Sequence, residues 1–507
     1  MHSGSHKQAT GCHILAMPYP ARGHINPMIN LCTLLASRDS ITITIVLTEE
    51  WLGVIGSGLD RPNIRLRSIP NVVPSEHERA ADMIGFIESV FTKMEAPFCR
   101  LLDQLDDLPI SCVLADTLLP WITAVGSRRS IPTVSLWTAV PSTFLGLYEE
   151  FPETREEIIV DPPEVSSMNT AGLPSLEFKD TRTRNLFLEA FSCATKSQGI
   201  VFTSFYELQP HVVSSLRAKL HVPIHAIGPA IPYMSLNVPP SMPLPSSHED
   251  CFSWLDSQAE ASVLYVSMGS FYSTSSEQLH ELSKGLDASG YRYLWVARKE
   301  AIGLQESSGV NGLVVPWCDQ LRVLCHSSVG GFLTHCGWNS TMESIYAGVP
   351  MLTFPIAAEQ PYNSTLIVDD WKIGLELKSN VGADNLVGGE EISHKIMRLM
   401  DPNGEEAKYL RKRAQELQET CRRAVEQGGS TDCNIVSFVD DVVHGKLGQR
   451  GVIKVAQLAS GLAQRLDPFS PEADGVSPQG VTSGSNPSFV IGDPMKKVQW
   501  VETTRRA

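Results

Sequence analysis

The sequence predicts an α/β protein of two doubly wound domains, and three observations carry that expectation. Short apolar runs alternate with helix-periodic segments, the alternation stops at a cluster of prolines, and it then starts again. The first run, His13-Ile-Leu-Ala-Met17, closes at Pro18 and Pro20; Gly23 leads into an apolar-periodic stretch from Ile29 to Leu35, and Ile41 to Leu47 is the next strand. Ser111 to Ala115 and Pro132 to Leu136 repeat the theme around a helix over Trp121 to Arg129, and Gly199 to Thr203 with Pro223 to Ile227 closes this half. Strands of this length separated by helices form βαβ units, which lay down a mostly parallel sheet.

Between Pro229 and Ser247 the chain carries Pro229, Pro232, Pro239, Pro240, Pro243 and Pro245, which remove backbone donors and mark a linker. Beyond it come a strand over Ser262 to Ser267, a helix around Gln278 to Ala288 and a strand over Arg292 to Ala297. Val329 to Thr334 and Pro350 to Phe354 follow with a helix between them, and Glu405 to Glu426 reads as a long charged surface helix. The expected boundaries are a first domain over residues 12–231, a linker over 232–250, a second domain over 251–445 and a tail over 446–507. In the tail, Val452, Val455, Ala459, Leu462 and Leu466 would share one helical face. The Pro-, Gly- and Ser-rich remainder is expected to be disordered.

Composition narrows the function classes. At 507 residues, 42 % of them hydrophobic, the chain has material for two cores. The 41 Lys+Arg against 56 Asp+Glu leave a net charge of −15, which repels polyanions, so nucleic acid is not an expected partner. No apolar run reaches the ~18 residues that would span a bilayer, and the polar segment Met1 to Gly11 lacks signal-peptide character. Eleven scattered cysteines, an odd number, do not form a disulfide framework. The expectation is a cytoplasmic monomer with no stable membrane anchor. The absence of a P-loop, a GxGxxG fingerprint and a GxSxG elbow argues against NTPase, dinucleotide and serine-hydrolase chemistry. Cys318, Cys325, His326, His335 and Cys336 do not have zinc-ligand spacing.

In parallel sheets ligands collect at the carboxyl ends of the strands. The polar residues expected there are His24, in the loop after the first strand, with Asp116 and Thr138 in the first half. In the second they are Ser267, Ser270, His335, Glu359 and Gln360. His24 and Asp116 fit a base and its orienting carboxylate, but spacing alone favours a loop histidine and an N-cap for the helix near Pro120. The helix after Cys336 offers unpaired N–H groups to an anion, but Ser340-x-x-Glu343 also fits a capping box that needs no ligand.

The 44 residues from Trp317 to Gln360 include Trp-Cys-Asp-Gln-Leu, His-Cys-Gly-Trp-Asn-Ser-Thr-Met-Glu-Ser and a closing Ala-Glu-Gln. This stretch closely resembles the signature box of plant family 1 UDP-glycosyltransferases, and Pro18-Tyr-Pro-Ala-Arg-Gly-His-Ile-Asn-Pro-Met28 resembles that family's N-terminal motif. The resemblance covers roughly Cys12 to Val443. It implies a GT-B fold, two facing Rossmann-like doubly wound domains, the first holding an acceptor and the second a UDP-sugar, with the final helix returning to the first. It implies that Trp317 stacks on uracil, that Cys318 holds the base edge through its backbone, and that Gln320 and Glu343 bind the ribose. His335, Asn339 and Ser340 would hold the diphosphate with Ser270 assisting, and Trp338, Glu359, Gln360 and Thr138 would address the sugar. His24 would be the general base and Asp116 its partner in an inverting, metal-independent transfer. Gln360 as the last box residue, with Trp338, implies UDP-glucose as donor substrate and no cofactor. For a small, partly apolar acceptor, Trp121, Phe144, Phe187 and Phe191 are the candidate lining. Two departures stand out: Asp319 occupies the usual place of a proline, and the extension from Lys446 has no family counterpart.

Overall fold

A computed structural model describes residues 12–38, 41–56, 62–76, 82–105, 108–151, 181–236, 246–269, 274–297, 311–378 and 386–447. Seven strands build the first sheet: β1 (Cys12–Met17), β2 (Ile41–Thr48), β3 (Ile64–Ile69), β4 (Cys112–Asp116), β5 (Thr133–Trp137), β6 (Ile200–Phe202) and β7 (Ile224–Ala226). They lie in the order β3-β2-β1-β4-β5-β6-β7, every pair parallel. Six more build the second: β8 (Val263–Ser267), β9 (Arg292–Val296), β10 (Gly312–Val315), β11 (Val329–Thr334), β12 (Met351–Thr353) and β13 (Gly374–Glu376). Their order is β10-β9-β8-β11-β12-β13, again all parallel. In both sheets the strand order reverses beside the first strand, between β1 and β4 and between β8 and β11. Such switch points open a crevice at the strand ends.

The central strands β1, β4, β5, β8 and β11 are buried along their whole length. Sheets covered by helices on both faces require this, and it is why these strands read as continuous apolar runs. The three strands that the apolar runs do not announce, β3, β10 and β13, are all at sheet edges. Half-exposed edges tolerate Arg65 and Arg67 in β3 and need no apolar run.

Two boundaries differ from the sequence expectation. The helix Ser246–Asp256 begins inside the span expected for the linker, and its Cys251 and Leu255 pack in the second core beside Val263. Leu447, expected to lie in the tail, is buried against the first core. Residues 237–245 of the linker and 448–507 of the tail lie outside the described residues.

The last helix, Ser430–Val443, crosses to the first domain and packs Ile435, Phe438 and Val442 against the Cys12, Ile14 and Ile41 side of the sheet. Polar anchors hold it there: Thr431 Oγ1 donates to the Gly228 carbonyl at 2.5 Å, Arg217 donates to Asn434 at 2.8 Å, and Arg38 pairs with Asp432. No helix among the described residues is long and apolar enough to cross a membrane.

Candidate active site

The helix Arg22–Ala36 begins at once after the turn that follows β1, so His24 lies in its first turn and not in a loop. Asp116 is the last residue of β4 and is 3 % exposed. The neighbouring positions of β1 and β4 in the sheet bring the two together, and His24 Nδ1 meets Asp116 Oδ2 at 2.8 Å. The other carboxylate oxygen accepts from Leu118 N–H at 2.9 Å. The helix Trp121–Arg129 has Pro120 at its N-cap and no side-chain cap bond, so Asp116 is not a cap. A carboxylate at Nδ1 fixes the tautomer with the proton on that nitrogen, leaving Nε2 as the basic one. Thr138 Oγ1 stands 2.9 Å from the same Nδ1, and the Tyr19 ring lies 5.1 Å from the imidazole, tilted by 53°.

At the second switch point His335 follows β11 directly. Its imidazole sits in a slot made by two glycines: a Cβ on Gly269 would fall 2.5 Å from Nε2, and one on Gly337 would fall 2.4 Å from it. Gly269 also has φ of 76°, a conformation that side chains disfavour. Between His335 and Gly337, Cys336 adopts φ of 65°, a strained value for a non-glycine residue, with its carbonyl held by Asn363 Nδ2 at 2.9 Å. Nδ1 of His335 is buried without a hydrogen-bond partner. Burial pushes the ring down to about 4, so it is neutral at physiological pH.

The helix Trp338–Ala347 starts here with Gly337 at its N-cap and no side-chain cap bond. The capping-box reading of Ser340 and Glu343 therefore fails, because the helix begins three residues earlier than it requires. Gln320 Nε2 instead donates to Ser340 Oγ at 2.8 Å and to Glu343 Oε2 at 2.5 Å. Burial pushes the Glu343 carboxyl up to about 7, against the lowering effect of the Gln320 bond. Tyr265, a residue the motifs do not flag, sits fully buried in β8 and donates its O–H to Gln320 Oε1 at 3.1 Å. That bond turns the amide so that its NH₂ faces Glu343. The available signal was a tyrosine in a doubly covered strand, whose hydroxyl must find a partner. Cys318 is 5 % exposed with Sγ 3.5 Å from the same hydroxyl, and burial pushes its thiol up to about 12. Trp317 is 47 % exposed. Asp319 caps the helix Gln320–Leu324 by accepting from Arg322 N–H at 3.3 Å, which gives the departure from proline a local reason.

Glu359 is half-buried; burial raises its carboxyl, and a hydrogen bond from its own backbone N–H partly offsets this. Gln360 is folded back, its Oε1 accepting from Ile356 N–H at 2.8 Å and Ala357 N–H at 3.0 Å. The loop bearing Glu359 is thereby fixed, and only the amide NH₂ of Gln360 is left to face a ligand.

Some expected roles meet a different geometry. The indole of Trp338 is 3 % exposed and spends its only N–H on Thr203 Oγ1 of the first domain at 3.1 Å, so its side chain cannot address a sugar. Phe144 and Phe191 are fully buried, 4.7 Å apart, and packed with Trp137 and Phe202 in the first domain's core. Phe187 packs at the edge of that cluster. Trp121 is 6 % exposed and bonds Val90 through its indole at 3.1 Å. Trp121, Phe144 and Phe191 are core, and not an acceptor lining, while Phe187 is half-buried. Ser270 lies outside the described residues. Among those described, no group of three or more His, Cys, Asp or Glu side chains could hold a metal ion.

Residues 215–385 match the family model described as UDP-glucoronosyl and UDP-glucosyl transferase. The chain is 43 % identical over 448 residues to UDP-glycosyltransferase 87A2 of Arabidopsis thaliana, an alignment covering 85 % of this chain and 97 % of that one. Among solved structures it resembles Medicago truncatula UGT71G1 complexed with UDP-glucose, with a TM-score of 0.72 and 25 % identity over 85 % of this chain and 98 % of that one. It also resembles Phytolacca americana UGT2 complexed with UDP-2fluoro-glucose and pterostilbene, with a TM-score of 0.69 and 25 % identity over 85 % of this chain and all of that one. The two doubly wound sheets are thus those of a GT-B fold.

Proposed function

This chain belongs to the family of UDP-glucoronosyl and UDP-glucosyl transferases, and we propose that it moves glucose from UDP-glucose to a hydroxyl of a small, partly apolar acceptor with inversion at the anomeric carbon. One observation carries the reading more than any other: an imidazole held by a buried carboxylate at 2.8 Å stands at the switch point of the first sheet. It lies one residue from Gly23, to which the N-terminus of the helix Trp338–Ala347 in the second domain is bonded.

In this scheme His24 Nε2 takes the acceptor's proton as its oxygen attacks the anomeric carbon, and Asp116 stabilises the imidazolium that results. The glucosyl–phosphate bond breaks on the opposite face, and the electron pair leaves with UDP. One displacement converts an α-linked donor to a β-glycoside. Charge on the leaving diphosphate is met by backbone N–H groups of Trp338, Asn339 and Ser340 at the helix N-terminus, by its partial positive charge and by neutral His335. Trp317 stacks on the uracil, the Cys318 backbone holds its edge, and Gln320 with Glu343 takes the ribose hydroxyls. Glu359, the Gln360 amide and the Thr138 hydroxyl address the glucose, with Ser270 beside the phosphates. Residues 12–231 form the acceptor side and 251–445 the donor side in this reading. The protein acts as a cytoplasmic monomer, and transfer needs no metal.

The test is mass spectrometry of the purified protein with UDP-glucose, EDTA and pooled phenolic and terpenoid alcohols. The expected product is an acceptor heavier by one hexose. Faster turnover with UDP-galactose would overturn the glucose assignment, and abolition of transfer by EDTA would overturn metal independence.

A further inference from the structure

Pro27 lies inside the helix Arg22–Ala36, one turn beyond His24. A regular helix would use the N–H at position 27 to bond the carbonyl at position 23. Proline has no N–H, so the Gly23 carbonyl loses its intrahelical donor. A side chain from the other domain fills the place: Asn339 Nδ2 donates to Gly23 O at 2.9 Å, across 316 residues of sequence. Its neighbour Trp338 makes another cross-domain bond, to Thr203 Oγ1 at 3.1 Å. Asn339 occupies the second position of the helix Trp338–Ala347, and Gly23 is the residue before His24.

We propose that Pro27 and Asn339 are a positioning couple: the proline vacates the Gly23 carbonyl, and the asparagine takes it to set the height of the His24 imidazole over the N-terminus of the helix Trp338–Ala347. The inference rests on the functional reading above, in which the base stands on one helix and the leaving diphosphate on the other. A single in-line displacement needs base, acceptor oxygen, anomeric carbon and leaving oxygen in register, and an error of ~1 Å costs roughly 10²-fold in rate. The couple supplies that register with a neutral bond between two helix termini. It leaves the backbone N–H of Asn339 for the diphosphate, so the side chain acts on kcat and the peptide acts on donor affinity.

A double-mutant cycle tests this. In Pro27→Ala the restored N–H reclaims the Gly23 carbonyl; kcat should fall roughly 10-fold or more, with UDP-glucose affinity by calorimetry within about two-fold of the parent. Asn339→Ala should show the same split. In the Asn339→Ala background, Pro27→Ala should cost nothing further, because the bond is already gone. Losses that multiply would make Pro27 a separate structural residue and overturn the couple, as would wild-type kcat in Pro27→Ala. Should Pro27→Ala fail to fold, Asn339→Ala decides alone: a loss in kcat at retained donor affinity supports the couple, and a loss confined to affinity overturns it. Failure of the functional reading is separate, since it appears as absent transfer by the parent protein or as full activity in His24→Ala.

Discussion

The strand ends of the two sheets solve different electrostatic problems on the same scaffold. At the first, a carboxylate is buried directly beneath an imidazole. At the second, burial drives the ionisable groups toward neutrality, His335 down to about 4 and Glu343 up to about 7, and a web of bonds runs from Tyr265 through Gln320 to Ser340 and Glu343. In the proposed mechanism the first site generates a cation as a proton is taken, which an adjacent anion favours. The second receives a diphosphate in that scheme, which low standing negative charge and N–H dipoles favour. The first is two residues deep and intolerant; the second is distributed.

The sharpest way to break that comparison is at the first rim. His24→Ala should lower turnover by roughly 10²–10⁴-fold, with donor affinity by calorimetry unchanged; unchanged turnover on a hydroxyl acceptor removes His24 from the mechanism. The aromatic cluster behind it should respond in stability and not in substrate recognition. Phe144→Ala should destabilise the fold by about 3–5 kcal/mol in denaturant titration, and a change confined to acceptor KM would return Phe144 to the acceptor lining.

At the second rim single losses should be smaller. Trp317→Ala removes a stacking face worth about 1–3 kcal/mol, seen as weaker UDP-glucose binding at near-constant kcat. Tyr265→Phe keeps the packing and removes one hydrogen bond, about 0.5–1.5 kcal/mol, raising donor KM several-fold. If it also lowered kcat by a like factor, the two rims would be less separable than their geometry implies.

The smallest effect is in the pH profile. In the proposed scheme ribose hydroxyls donate to the ionised form of Glu343, so UDP-glucose affinity should rise as pH increases through about 7 and then level off, and Glu343→Gln should flatten the curve. In the unliganded protein the raised carboxyl favours the protonated fold. Its contribution is fully present below the ordinary value of 4.5 and is lost as pH rises through about 7, which melting temperatures across that window would register.

The local sequence contained much of this. Apolar runs located the central strands because those strands are covered on both faces, and the box from Trp317 to Gln360 located the second rim because its residues are close in sequence. Edge strands such as β13 escaped because half-exposed segments need no apolar run. The aromatic residues of the first half could not be sorted into core or pocket, since burial of Phe144 and Phe191 follows from how two helices, Pro141–Glu150 and Thr181–Thr195, pack against the sheet and each other.

What the sequence by itself determined was the fold class and the chemical inventory, because helix and strand periods and short motifs are properties of neighbouring residues. Only the tertiary structure decided how that inventory is used. It turned Trp338 inward to Thr203, placed Tyr265 behind Gln320, made Ser340 a partner of Gln320 and not a cap, and brought Asn339 to the carbonyl that Pro27 vacates. Each of these bonds joins residues at least 20 positions apart, and each depends on desolvation and close approach that exist only when the sheets, helices and domains have packed.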